Sequence, residues 1–148
     1  MVQETLRCGI STPPMSPWGQ KAFEQAALKA QETNNPSQRY WAMLGQGDVA
    51  VAQGNLPVAR ELYAMALGTA EPIAKADPGN AGWQRDLALS HGRVAMILLR
   101  QGERERALSA FHQGREIILK LKAAAPSNAT LPKDLAWFDG QIGGLQKR

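Results

Sequence analysis

The chain has few of the residues from which disulfide frameworks, metal centres and nucleophilic triads are built. Of its 148 residues one is a cysteine, Cys8, and two are histidines, His91 and His112. A lone cysteine cannot close a disulfide within the chain, which fits a reducing, cytoplasmic compartment. The histidines fall in different predicted helices, and no pair of histidines or of glutamates stands at metal-ligand spacing. No glycine-rich loop runs from a strand into a helix to cradle a phosphate, and Gly143-Gly144 does neither. The sequence therefore predicts no catalytic residue, no metal and no cofactor.

Long apolar runs are also missing. No segment is apolar enough over enough residues to read as a membrane span. Residues 1–10 lack the apolar centre of a secretion signal. Runs of one charge sign are absent too. Seventeen basic and thirteen acidic residues are interspersed, for a net charge of +4. Arg104, Arg106, Arg115, Lys120 and Lys122 alternate with Glu103, Glu105 and Glu116, the pattern of a solvated helix face. The positive balance admits an RNA-binding helical repeat as a reading, but this mixture speaks against nucleic acid as the partner.

What the chain does have is internal repetition. Gly54, Ala59, Pro78, Asn80, Asp86, Leu87 and Gly92 each have an identical residue 48 positions on: Gly102, Ala107, Pro126, Asn128, Asp134, Leu135 and Gly140. Val49 and Ile97, Tyr63 and Phe111, and Arg85 and Lys133 keep the same step with related residues. A fixed period of this size marks stacked repeats, each supplying a face that the next one buries.

Helix signals fill in each period. Ser16-Pro17 reads as a start for a helix over 18–31, after a tail over 1–16 rich in proline. Asn35 caps and Pro36 opens a helix over 37–53, which Gly54 ends by taking the left-handed backbone. Pro57 opens the next, to residue 76. Asp77-Pro78-Gly79-Asn80 is a turn, followed by helices over 82–101 and 103–124 around Gly102. A turn at Pro126-Ser127-Asn128 precedes a last helix over 132–145. Pro72 falls inside a predicted helix and predicts either a kink near 68–72 or an early end there. The result is an all-α chain of about six helices. The second helix of each pair carries a small–aromatic–small triple on one face, Ala59-Tyr63-Ala66 and then Ala107-Phe111-Gly114, with an echo at Gly19-Phe23-Ala26.

These residues resemble the tetratricopeptide repeat family. Its signature places a small residue in the first helix, glycine at the turn, then alanine, aromatic and alanine in the second helix. Gly47, Gly54, Ala59, Tyr63 and Ala66 follow that order, as do Ala95, Gly102, Ala107, Phe111 and Gly114. The period of 48 exceeds the usual ~34, and the segment from Ala76 to Leu87 looks like a long-helix bacterial variant of the repeat. The resemblance implies a right-handed stack of antiparallel helix pairs. It would comprise a degenerate half repeat over 17–34, repeats over 35–80 and 81–128, and a capping helix over 131–146.

Members of that family bind proteins or peptides along a concave surface lined by the first helix of each pair. Trp41, Leu89 and Trp137 occupy equivalent positions on the three first helices. Trp41, Leu44, Asp48 and Val51 share one helical face, and Leu89, Gly92, Met96 and Leu99 share the matching face of the next. By the resemblance, these residues and Trp137 line a largely apolar groove edged by Asp48, Arg93 and Arg100. Clamps for a peptide's terminal carboxylate occur in the family, at positions matching Leu44, Gly45, Asp48, Leu89 and Arg93. Only Arg93 has the right charge, so no such clamp is expected. The leading expectation is a non-catalytic interaction scaffold holding a protein or peptide segment. The alternative is a self-assembling subunit, joined through the front of the stack where the half repeat lacks its own first helix.

Overall fold

A computed structural model of the chain describes residues 35–146 together with Gln25 and Leu28, both helical. The tail over 1–16 and most of the helix expected over 18–31 lie outside the described residues. Within them the chain forms five helices and no strand: α1 (Pro36–Ala52), α2 (Leu56–Ala76), α3 (Ala81–Arg100), α4 (Arg104–Ala124) and α5 (Thr130–Gln146). No helix among the described residues is long and apolar enough to cross a membrane.

Local chemistry sets each boundary. The Asn35 carboxamide accepts from the backbone N–H of Ser37 at 2.9 Å. Asn80 caps α3 by accepting from Trp83 N–H at 3.1 Å, and Asn128 accepts from Thr130 N–H at 2.9 Å. Each satisfies a backbone donor that the first helical turn leaves without a partner. Glu103 precedes α4 without a side-chain cap, because its carboxylate is taken by Arg60 at 2.6 Å and Arg106 at 2.7 Å. Gly54 and Gly102 both adopt positive φ, 76° and 84°. Around them Gly54 N–H donates to Val51 O and Asn55 N–H to Ala50 O, while Gly102 donates to Leu99 O and Glu103 to Leu98 O. The two turns are thus the same Schellman closure displaced by 48 residues.

The helix α2 runs through Pro72 to Ala76, so the early end is set aside. Proline removes the donor to Gly68 O, and Gly68 is exposed, so water can meet that carbonyl. The last helix begins at Thr130, ahead of the expected residue 132, because the Asn128 cap sets the start and Pro132 suits a first turn.

Helices pack on their neighbours in sequence: α1 on α2, α2 on α3, α3 on α4 and α4 on α5. The buried residues form two clusters. One gathers Tyr40, Met43, Leu44, Val58, Leu62, Tyr63 and Ile97 between α1, α2 and α3. The other gathers Leu98, Phe111, Ile118, Leu131, Phe138 and Ile142 between α3, α4 and α5. Val94 packs against both. Small residues make these approaches possible. A Cβ added at Gly47 would lie 2.5 Å from the Tyr63 ring, and one at Gly114 would lie 2.5 Å from Phe138 and 2.9 Å from the Ala88 carbonyl oxygen. The small–aromatic–small triples of α2 and α4 are buried throughout.

Candidate interaction cleft

The alternate helices α1, α3 and α5 are tied together through long side chains. The buried Tyr40 hydroxyl donates to Asp86 O at 3.0 Å and lies 2.7 Å from the Ser90 hydroxyl. Arg85 grips the Asp134 carboxylate with two nitrogens, at 2.7 and 3.1 Å. Arg93 reaches Asp48 at 3.5 Å. Side chains acting as struts hold these helices at a spacing that leaves room between them.

That room is a cleft of about 380 Å³. From α3, Leu89, Gly92, Arg93, Met96 and Arg100 contribute one continuous face, spaced as a helix requires. From α1 come Asp48 and Val51, and from α5 comes Trp137. Tyr63 of α2 and the buried Ile97 also reach the lining. The Trp137 indole is 40% exposed yet held in place. It meets Phe111 edge-on at 5.8 Å and Phe138 edge-on at 5.0 Å. Gly92 gives it room: a Cβ there would lie 2.9 Å from the indole ring. One wall is therefore a pre-set aromatic surface with thioether and aliphatic groups beside it.

The polar part is concentrated around Asp48. Its carboxylate accepts a short hydrogen bond from the Tyr63 hydroxyl and faces the Arg93 guanidinium. Burial, and then the Asp48 carboxylate, push the Tyr63 phenol well above its ordinary pKa, so it stays a donor. Asp48 and Arg93 are both substantially exposed, 52% and 37%, so their pair contributes ~1 kcal/mol at most. Arg100 is exposed and makes no ion pair among the described residues. Forty-eight residues on, the counterparts of Asp48 and Tyr63 are Met96 and Phe111, which carry no charge. The cleft lining is thus acidic at Asp48 on α1 and aromatic at Trp137 on α5.

The structure brings together Asp48, Val51, Leu89, Arg93, Met96, Arg100 and Trp137 of the groove expected from the sequence. Three expected residues lie elsewhere. Leu44 is 3% exposed inside the α1–α2 core and cannot meet a partner. Leu99 packs against the α3–α4–α5 core. Trp41 is 54% exposed and rests edge-on against Tyr40, outside the cleft lining. A stripe of helical spacing is wider than a groove, and its edges turn into the core on one side and to solvent on the other. Tyr63 was legible as the ring of a small–aromatic–small triple, but nothing in its spacing showed that its hydroxyl would reach Asp48.

Other titratable groups sit apart from the cleft lining. His91 is buried, and desolvation lowers its pKa, with Glu71 partly opposing. Burial raises the Asp86 carboxyl, against the pull of Arg85 and Arg93. Among the described residues no group of three or more His, Cys, Asp or Glu side chains is placed to hold a metal ion.

No protein-family model matches the chain. The chain is similar to the signal recognition particle subunit SRP72 of dog, Canis lupus familiaris, at 32% identity over 108 residues. That stretch is 68% of this chain and spans 15% of the length of the subunit.

Proposed function

We propose that the chain is a tetratricopeptide-like helical stack that works without catalysis, holding a protein or peptide segment in the cleft between α1, α3 and α5. In this reading the five described helices are two helix pairs and a further helix of a right-handed solenoid. One observation carries the reading. Three alternate helices, α1, α3 and α5, bring side chains to one open cleft with an anchored tryptophan wall. Exposed aromatic and methionine side chains beside arginine are the composition from which protein-binding patches are made. The likeness to a subunit of a larger particle supports a role in assembly.

The test compares wild type with a Leu89→Ala/Met96→Ala double variant, each immobilised and shown to be folded by circular dichroism. Captured proteins are quantified by mass spectrometry. The expected result is a set of partners held by the wild type and lost from the variant. Equal capture by both would remove the cleft from consideration.

A second reading is favoured by a separate feature. Trp41, Gly45 and Val49 form an exposed stripe along α1, at 54% exposure for Trp41 and 49% for Val49. An apolar stripe of this kind suits contact with another copy of the chain. Sedimentation over a concentration series tests it, with a Trp41→Lys variant that should remain monomeric.

A further inference from the structure

We infer that the cleft selects an extended segment in which an acidic side chain stands two positions from a bulky apolar one. The carboxylate would meet Arg100 and the apolar group would lie over Met96. This inference rests on reading the cleft as a protein-binding site.

The charges in the cleft are not equivalent. Asp48 is engaged twice, by the Tyr63 hydroxyl and by Arg93. Arg93 therefore has its counter-ion within the protein. Arg100 has none among the described residues, and it lines the cleft while remaining exposed. One acid and two bases leave a single uncompensated positive charge, located at Arg100. A basic segment is repelled there, and a wholly apolar one leaves the guanidinium unanswered. An acidic one complements it.

The spacing narrows the motif. Met96 and Arg100 are one turn apart on the same face of α3, about 6 Å along its axis. An extended chain advances ~3.3 Å per residue, and alternate side chains point the same way. A segment lying along α3 with an apolar side chain on Met96 therefore presents its second-next neighbour to Arg100. Trp137, fixed edge-on by Phe111 and Phe138, supplies the facing wall for the apolar group.

The test uses random peptides displayed on phage and selected on the full chain, followed by fluorescence anisotropy with labelled synthetic peptides. The expected enrichment is Asp or Glu two positions from an aromatic or large aliphatic residue. Arg100→Gln should weaken these peptides about two- to fivefold, as for an exposed ion pair. That deficit should shrink as salt is raised. Arg100→Glu should turn the preference toward Lys or Arg. Met96→Lys, and Val51→Lys from α1, should abolish binding while leaving the circular dichroism spectrum intact. Peptides that depend on Met96 or Val51 but show no acidic preference and ignore Arg100→Glu would overturn the inference alone. Failure to enrich any peptide, or peptides that bind both lysine variants as well as wild type, would overturn the inference together with the reading of the cleft.

Discussion

Replacing Gly114 with alanine is expected to destabilise the protein, although the same change at an open helical glycine should stabilise it. Gly114 is buried within α4. A Cβ built there lies 2.5 and 2.6 Å from two atoms of the Phe138 ring and 2.9 Å from the Ala88 carbonyl oxygen. Phe138 is fully buried and the carbonyl belongs to the α3 backbone, so neither yields without cost. Either α4 must back away from α3, or Phe138 must leave its preferred rotamer. Overpacking of this kind costs about 1–3 kcal/mol, and the involvement of backbone places Gly114 near the top of that range. Alanine's better helix propensity returns about 1 kcal/mol. The expected net loss is therefore about 2 kcal/mol. Gly140, inside α5, is the control, because a Cβ there meets no atom within 4 Å. Only the propensity remains, and Gly140→Ala should gain about 1 kcal/mol. Equilibrium urea unfolding followed by circular dichroism measures both, read as midpoints at constant slope. A Gly114→Ala protein as stable as wild type would refute the close packing of α3, α4 and α5 at this point.

Two pH effects follow from burial. Burial raises both tyrosines, Tyr40 and Tyr63, above the ordinary phenol value, so the folded state resists ionisation. Their contribution to stability is complete below the unfolded value of about 10 and is lost as pH rises through the folded values. Ultraviolet titration should show phenolate appearing only together with alkaline unfolding, and a separate step near the ordinary value in folded protein would contradict this. For His91 the sign is opposite, because its folded pKa is depressed. Stability is complete above the unfolded value of about 6.5 and declines as pH falls below it. The urea midpoint should drop on mild acidification, and His91→Gln should flatten that drop. Asp86, raised by burial, acts in the other direction, but lower, near the carboxylate range of about 4.

Much of the fold was legible because local chemistry and long-range repetition agree. Asn35 announces a helix start through its side chain, and the turns read at Asn80 and Asn128 end on side chains that cap the helices after them. Gly54 and Gly102 announce ends because a left-handed backbone favours glycine. The cleft was legible as a face and not as a boundary. The spacing of Asp48, Val51, Leu89, Met96 and Trp137 is fixed by helix periodicity. Whether Leu44 looks into the cleft or into the core depends on how far α1 rolls against α2, which the 48-residue step does not encode. The Asp48–Tyr63–Arg93 cluster was hidden for another reason. It joins three helices over sequence separations of 15 and 45 residues, and neither matches the repeat.

The matched closures at Gly54 and Gly102 bear on how such a chain can change length. A cut at one can be rejoined at the other, 48 residues away, and every surviving helix end meets a junction of the kind it had before. A cut of any other size would put another residue where the closing glycine stands and shift the helical faces that follow it. A stretch of 48 residues is therefore the natural unit of insertion or deletion between these two closures, while side chains at equivalent positions, acidic at Asp48 and thioether at Met96, are free to differ.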